Sequence, residues 1–291
     1  MKKRGQISFF LIIGLVIVII AGLSFYLLNY KAKNKLAQNA KKSSETSESD
    51  IVKSYAESCL KSVSEDGMFN RIGIQGGYID PNGDAEYKEN VASNQQLSIF
   101  QGKSVPYYLE AACISFECTF KENAPSLESI KEKLSNYIIV EFEKCFNANN
   151  FEDIGLEVTK PVSKVNADIN LNEEDMSINL EYPLIIARGE AKTNLDSFKV
   201  TLPVRLKALY DSAITLVAKA KSTQPNEYDL TPDCSSYDKN GLTNVYVKNA
   251  DNGAKEIIQL IDFSTYNGKY LKSYTFQFAV KNVKVEGGCA S

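Results

Sequence analysis

An α+β fold behind a single N-terminal transmembrane helix is what this sequence predicts, with helices packed on antiparallel sheet and a β-meander at the C-terminus. Three observations predict it. Gly5 to Tyr30 carries no charged residue. Two later segments place apolar residues three and four apart, the spacing of one helical face. From Val165 onward, apolar and polar residues alternate instead, as in strands with one buried face.

The uncharged run comes first. Its core, Ile7 to Leu28, is long enough at about 1.5 Å per residue to cross a hydrocarbon layer of about 30 Å. No small-residue cleavage site closes it, and it exceeds the length of a secretory h-region. Met1-Lys2-Lys3-Arg4 places positive charge before the span, and Lys31, Lys33, Lys35, Lys41 and Lys42 place more after it. The charge rule for orientation is therefore undecided.

The chain divides on these grounds into a basic leader (1–5), a transmembrane helix (6–30), a polar stalk (31–50), a main α+β domain (51–223) and a C-terminal β subdomain (224–291). In the main domain, Val52, Tyr55, Ala56, Cys59, Leu60 and Val63 line one face of a first helix. A second opens at Ser126, an N-cap after Pro125, and Leu127, Ile130, Leu134, Tyr137, Ile138, Phe142 and Cys145 form its stripe. Val165 to Leu171 and Met176 to Tyr182 alternate around Asn172-Glu173-Glu174-Asp175, which predicts a hairpin. Leu184 to Ala191 and Phe198 to Val204 predict further strands, and a third helix is expected over Val204 to Lys221. Val245 to Lys248, Ile257 to Phe263 and Tyr274 to Val285 predict the meander, as a subdomain or as an extension of the main sheet.

Lys3-Arg4-Gly5-Gln6-Ile7-Ser8 resembles the class III signal of archaeal type IV pilin-like proteins. The resemblance implies cleavage between Gly5 and Gln6, a hydrophobic helix kept on the mature chain, and a C-terminal domain outside the cell. Ser8 matches the family's serine. The family's glutamate five residues past the cut is replaced by Phe10. Further along, Glu57-Ser58-Cys59-Leu60, Gly73 to Ile79, Val105-Pro106-Tyr107-Tyr108, the Leu134 to Cys145 helix and Glu181-Tyr182-Pro183-Leu184 resemble a group of uncharacterised archaeal membrane-anchored proteins. That resemblance implies surface anchoring and no particular activity.

The chain has 6 cysteines, and their placement suggests pairs. Cys59 and Cys145 lie on the inward faces of the first two helices. Cys113 and Cys118 flank a short apolar stretch suited to a tight hairpin. Cys234 and Cys289 bracket the C-terminal strands. Six cysteines allow fifteen connectivities, and free buried thiols are the alternative. Disulfides require an oxidising compartment, which would put the domain outside the cytoplasm and resolve the lysine ambiguity. A zinc site is disfavoured, because there is no CxxC and no histidine.

The absence of histidine also removes the commonest near-neutral acid or base and the Ser-His and Cys-His pairings. An enzyme is not expected, and no cofactor is implied. Asp80, Asn82, Asp84 and Glu86 alternate like calcium ligands. Ala85 stands where an EF-hand needs Gly, and Val91 where it needs Glu, so a polar turn is the plainer reading. Gly76-Gly77 lacks the lysine of a phosphate loop and suits close backbone packing. Glu173, Glu174 and Asp175 read as a solvated turn, and Asp211, Ser212, Lys219 and Lys221 as ordinary surface. Tyr107, Tyr108, Tyr228 and Tyr237 lie near loops, where tyrosine suits binding surfaces; core packing in strands is the alternative. The net charge of −3 gives no basic surface for nucleic acid.

The expected partners are membrane lipid and other copies or pilin-like subunits, with a protein or glycan ligand unspecified. The expected role is structural, adhesive or assembly-related at a cell surface. An anchored ligand-binding or sensory module and a carboxylate-based envelope hydrolase are the alternatives.

Overall fold

The computed structural model describes residues 48–79, 97–100, 103–114, 117–222, 245–250, 255–267 and 272–282. The chain forms two compact units, Met1–Val52 and Lys53–Ser291. The described part of the first, 48–52, is helical. Among the described residues no helix is long and apolar enough to cross a membrane; Gly5 to Tyr30 lies outside them.

Helix α1 (53–66) buries Ala56, Cys59, Leu60 and Val63, the face expected from their spacing. It widens into a π-helical turn, Gly67–Ile72. Helix α2 (Leu127–Cys145) starts at Ser126, whose Oγ accepts from the Ser129 N–H at 3.2 Å. This satisfies one of the donors a helix start leaves free. Ile130, Leu134, Ile138 and Phe142 are its buried stripe.

The expectation of purely antiparallel sheet needs correction for one of the two sheets. Strands β1 (Leu97–Phe100), β2 (Lys103–Ile114), β3 (Glu117–Glu122), β8 (Val245–Ala250), β9 (Lys255–Asn267) and β10 (Lys272–Lys281) form a mixed sheet in the order β1-β2-β10-β9-β8, with β3 also on β2. β2 and β10 are parallel, with Tyr107 opposite Ala279 and Glu110 opposite Lys281. Parallel neighbours need a long crossover, and everything between β3 and β8 supplies it. The expected meander is present as β8-β9-β10, and through β10 it is continuous with β2.

The second sheet holds β4 (Glu157–Thr159), β5 (Asn166–Leu171), β6 (Met176–Arg188) and β7 (Ala191–Leu202), all antiparallel. The expected break after Tyr182 does not occur, because β6 runs straight through Pro183. Pairing with β5 ends at Glu181, pairing with β4 starts at Ile185, and the register against β7 shifts between Glu181 and Leu184. Proline's missing N–H therefore falls where no ladder bond is needed. The Ser135 hydroxyl donates to the Ala167 carbonyl at 2.7 Å and docks α2 on β5.

Helix α3 (Leu206–Ser222) buries Leu206, Leu209, Ala213, Leu216 and Val217 and packs on β9 and β10. At its entrance the Arg205 guanidinium grips Asp262 of β9 with two bonds, Nε to Oδ2 at 2.9 Å and Nη2 to Oδ1 at 2.7 Å. Asp262 opens a bulge: it pairs with Tyr274, while the next paired residue of β9 is Tyr266 against Ser273. The Ser264 N–H and hydroxyl both donate to Asp262 Oδ1, and Thr265 Oγ1 donates to the Asp262 carbonyl. Burial pushes the Asp262 carboxyl up, but the bonds from Arg205 and Ser264 and the arginine's charge more than offset it. The net shift is below the ordinary 3.8.

Because the folded value is depressed, the stability this carboxylate contributes is complete above the ordinary carboxylate range. It is lost as pH falls through the folded value. Arg205→Met should lower the unfolding free energy at pH 7 by about 3–5 kcal/mol, since it strands a buried charge. Urea titrations of the purified chain from pH 7 down to pH 3 check this. The difference between wild type and variant should shrink toward the acid end, and a difference below about 1 kcal/mol at pH 7 would show the pair to be unimportant.

Candidate functional site

After the π-helical turn, Gly73 to Ile79 lies across the mixed sheet as a strap. Its N–H groups at Gly73, Gln75, Gly77 and Tyr78 donate to the π-helical turn and to the strap itself, and the mixed sheet satisfies three of its carbonyls. The Gln277 N–H of β10 donates to the Gly73 carbonyl at 2.9 Å. Gln277 Nε2 donates to the Ile74 carbonyl, and the Tyr108 hydroxyl of β2 donates to the Gly76 carbonyl at 3.2 Å. Gln277 is held in turn by Gln259 Nε2, 2.7 Å from its Oε1. A buried segment must find partners for its backbone groups, and three of this strap's carbonyls find them on two neighbouring strands.

The glycines are what allow that approach. A Cβ at Gly73 would sit 2.3 Å from the Thr275 carbonyl oxygen, and one at Gly76 would sit 2.4 Å from that of Gln277. Gly76 also has φ of 55°, the left-handed region where a side chain is strained. The aromatic rings below are close-packed: Tyr108 stacks on Phe278 with centroids 4.7 Å apart, and Phe69 meets Tyr274 edge-on at 5.4 Å. Burial drives the Tyr108 and Tyr274 hydroxyls well above the ordinary phenol range, with neighbouring tyrosines adding to the shift at Tyr108. Both therefore stay protonated. On the strap's outer side Lys133 lies over the Tyr78 ring, 5.1 Å from its centroid. Burial lowers the Lys133 ammonium's pKa, against a smaller opposing effect of Glu132.

Gln75, at the middle of the strap, is fully buried, and neither atom of its amide has a hydrogen-bond partner among the described residues. Enclosing an unpartnered amide costs free energy that an apolar residue of similar size would not. Residues kept against stability are where function departs from packing, and this singles out Gln75 within the strap.

The strap's N-terminal end is fixed by covalent and polar links between α1 and α2. Cys59 and Cys145 form a disulfide with Cα atoms 5.8 Å apart. Beside it the Tyr55 hydroxyl donates to the Cys145 carbonyl at 3.1 Å, and its ring packs edge-on to Phe151 at 5.4 Å. At the other end of α1 the Tyr137 hydroxyl donates to Asp66, whose second oxygen accepts from Asn70 at 2.7 Å. Arg71 lies 5.8 Å from the Tyr137 ring centre. Burial, then the bond to Asp66, raise the Tyr137 pKa, so this phenol serves as a donor and not as a base near neutral pH.

Several residues singled out in the sequence lie outside the described residues: Gly5, Gln6, Cys234, Cys289, Tyr228, Tyr237 and the Asp80, Asn82, Asp84, Glu86 series. Among the described residues no group of three or more acidic, cysteine or histidine side chains could hold a metal ion. Cys113 and Cys118 stand directly opposite each other in the β2–β3 register. Tyr107 and Tyr108 are buried, at 3% and 0% exposure, so of the two readings for this pair the core one applies. Glu173 pairs with Lys207, which also lies 3.6 Å from Asp211. An open groove of about 500 Å³ between α2 and β5 is lined by Ser126, Glu128, Ser129, Glu132, Ser135 and Asp168.

Sequence reasoning missed Arg205–Asp262 and Asp66–Tyr137. Asp262-Phe263-Ser264-Thr265 carried a readable signal, since an aspartate two residues before a serine favours a local side-chain-to-backbone turn. Asp66–Tyr137 joins residues 71 apart and left no local trace.

Two substitutions separate the strap's packing from its unexplained amide. Gly76→Ala should destabilise the chain by about 2 kcal/mol or more, from strain and the carbonyl clash. Gln75→Met should stabilise it by about 1 kcal/mol. Denaturant midpoints check both, and a Gln75→Met chain less stable than wild type would show the amide to be satisfied after all.

Comparison with known protein families, with curated proteins and with solved structures finds no match to this chain.

Proposed function

We propose that this chain is a membrane-anchored protein of an archaeal cell surface, with a pilin-like structural or assembly role. In this reading the Ile7 to Leu28 segment lies in the bilayer, Met1 to Gly5 is a leader removed on processing, and the domain from residue 53 onward stands outside the membrane. The observation that carries the reading is the Cys59–Cys145 disulfide. Structural disulfides form and persist in oxidising compartments, so the bond favours an outer location where the lysines flanking the span favour neither. The helix supplies anchoring and lateral assembly, and the outer domain supplies recognition.

Two measurements on native cells test this. Protease added to intact cells should degrade the domain while leaving cytoplasmic proteins whole, and mass spectrometry of the purified chain should find an N-terminus at Gln6. Full protection of the domain until the membrane is broken would reject the outer location. An intact Met1 with an accessible domain would reject pilin-type processing and leave a plain signal anchor.

A further inference from the structure

The N-terminal half of β7 is an exposed strand. Residues 191–197 are exposed, with only Leu195 half-buried. On one side β7 pairs with β6, from Met176 opposite Leu202 to Arg188 opposite Ala191. Among the described residues its other edge pairs with nothing. An open strand edge is a row of unused donors and acceptors that templates another strand. Natural edges are commonly guarded by a lysine, and Lys192 stands here. The same stretch carries Asp196, and neither residue makes an ion pair with another described residue of its own chain.

We propose that β7 is a homotypic assembly edge, pairing antiparallel with β7 of a second copy about a two-fold axis at Asn194. The geometry is restrictive. Residues along a strand alternate between inward and outward hydrogen-bonding edges, so a symmetric antiparallel pair must join residues of the same parity. A two-fold interface is also self-complementary: if residue i meets j, then j meets i. Centring on Asn194 puts Lys192 of each copy opposite Asp196 of the other, giving the charge match twice. It opposes Thr193 to Leu195 and Ala191 to Ser197, and no like charges face each other. Moving the centre to Thr193 sets Glu190 against Asp196, and moving it to Asp196 sets that carboxylate against itself.

The pairing region this centre defines, 191–197 of both strands, is the exposed stretch of β7, with only Leu195 half-buried. Beyond it, Phe198 and Leu202 are buried. Lys192 thus discourages a strand that lacks a facing acid and accepts the one strand that always carries it. The inference deepens the assembly reading above and rests on it.

The test uses the full chain in its native membrane. Directly opposed residues in an antiparallel pair have Cα atoms about 4.5–5.5 Å apart, within reach of a disulfide. Asn194→Cys should therefore yield a covalent dimer under mild oxidation, and Lys199→Cys, far from its own copy, should not. Charge reversal is the second arm. Lys192→Asp alone and Asp196→Lys alone should each cut Asn194→Cys cross-linking several-fold, and the double reversal should restore it. Within one strand these two residues are four apart and about 13 Å distant, so rescue reports pairing between copies. Equal cross-linking at 194 and 199, or failure of the double reversal to rescue, overturns the proposal. Protease accessibility of the same variants on intact cells distinguishes that failure from failure of the surface location.

Discussion

The Cys59–Cys145 bond is the constraint on which the rest of this structure depends. It ties helices 86 residues apart in sequence, and closing a loop of that length restricts the unfolded chain by about 4–5 kcal/mol in the chain-entropy account. Its structural effect is directional. With α1 held against the end of α2, the π-helical turn must deliver the chain across β10, and the glycines at 73 and 76 let it lie there at backbone distance. The aromatic packing of Tyr55 with Phe146 and Phe151 at one end, and the Tyr137 bond to Asp66 at the other, keep the two helices in a single register.

The remaining architecture follows from how the two sheets are joined. The chain leaves the mixed sheet after β3, builds the antiparallel sheet, and returns through α3 to add β8, β9 and β10. That long return is what makes the parallel β2–β10 pair possible. Arg205 sits at the point of return, and its bidentate grip on Asp262 links the start of α3 to a bulge in β9. Asp262 is fully buried, so the pair fixes one alignment of helix on sheet and penalises any other. At the opposite end of the antiparallel sheet the N-terminal half of β7 is exposed and pairs with no described strand on its outer edge. Its charges are arranged so that its own copy complements them.

Much of the fold was legible in the sequence, because periodicity reports burial. The stripe from Ile130 to Phe142 and the alternation from Ala167 to Tyr182 reflect one-sided burial and needed no tertiary knowledge. The Ser126 cap was likewise local chemistry. The misreadings arose where tertiary context overrides a local signal. The sequence pattern predicts one strand ending at Tyr182 and another beginning at Leu184, whereas β6 runs through Pro183, harmless there because both ladders lapse. The parallel β2–β10 pair leaves no mark on either strand. Of the candidate site, Gly76-Gly77 was visible as close-packing glycine and Cys59 with Cys145 as inward-facing partners. The role of Gln277 and Tyr108 as donors to the strap was not, since those residues are distant in sequence and ordinary in type.

The most direct measurement of the central claim is peptide mapping of the native chain, alkylated on intact cells before any reductant is added. The account predicts a peptide carrying Cys59 joined to one carrying Cys145, with neither cysteine alkylated until reduction. Recovery of both as alkylated free thiols from unreduced cells would contradict it, and would remove the reason for placing the domain outside the membrane.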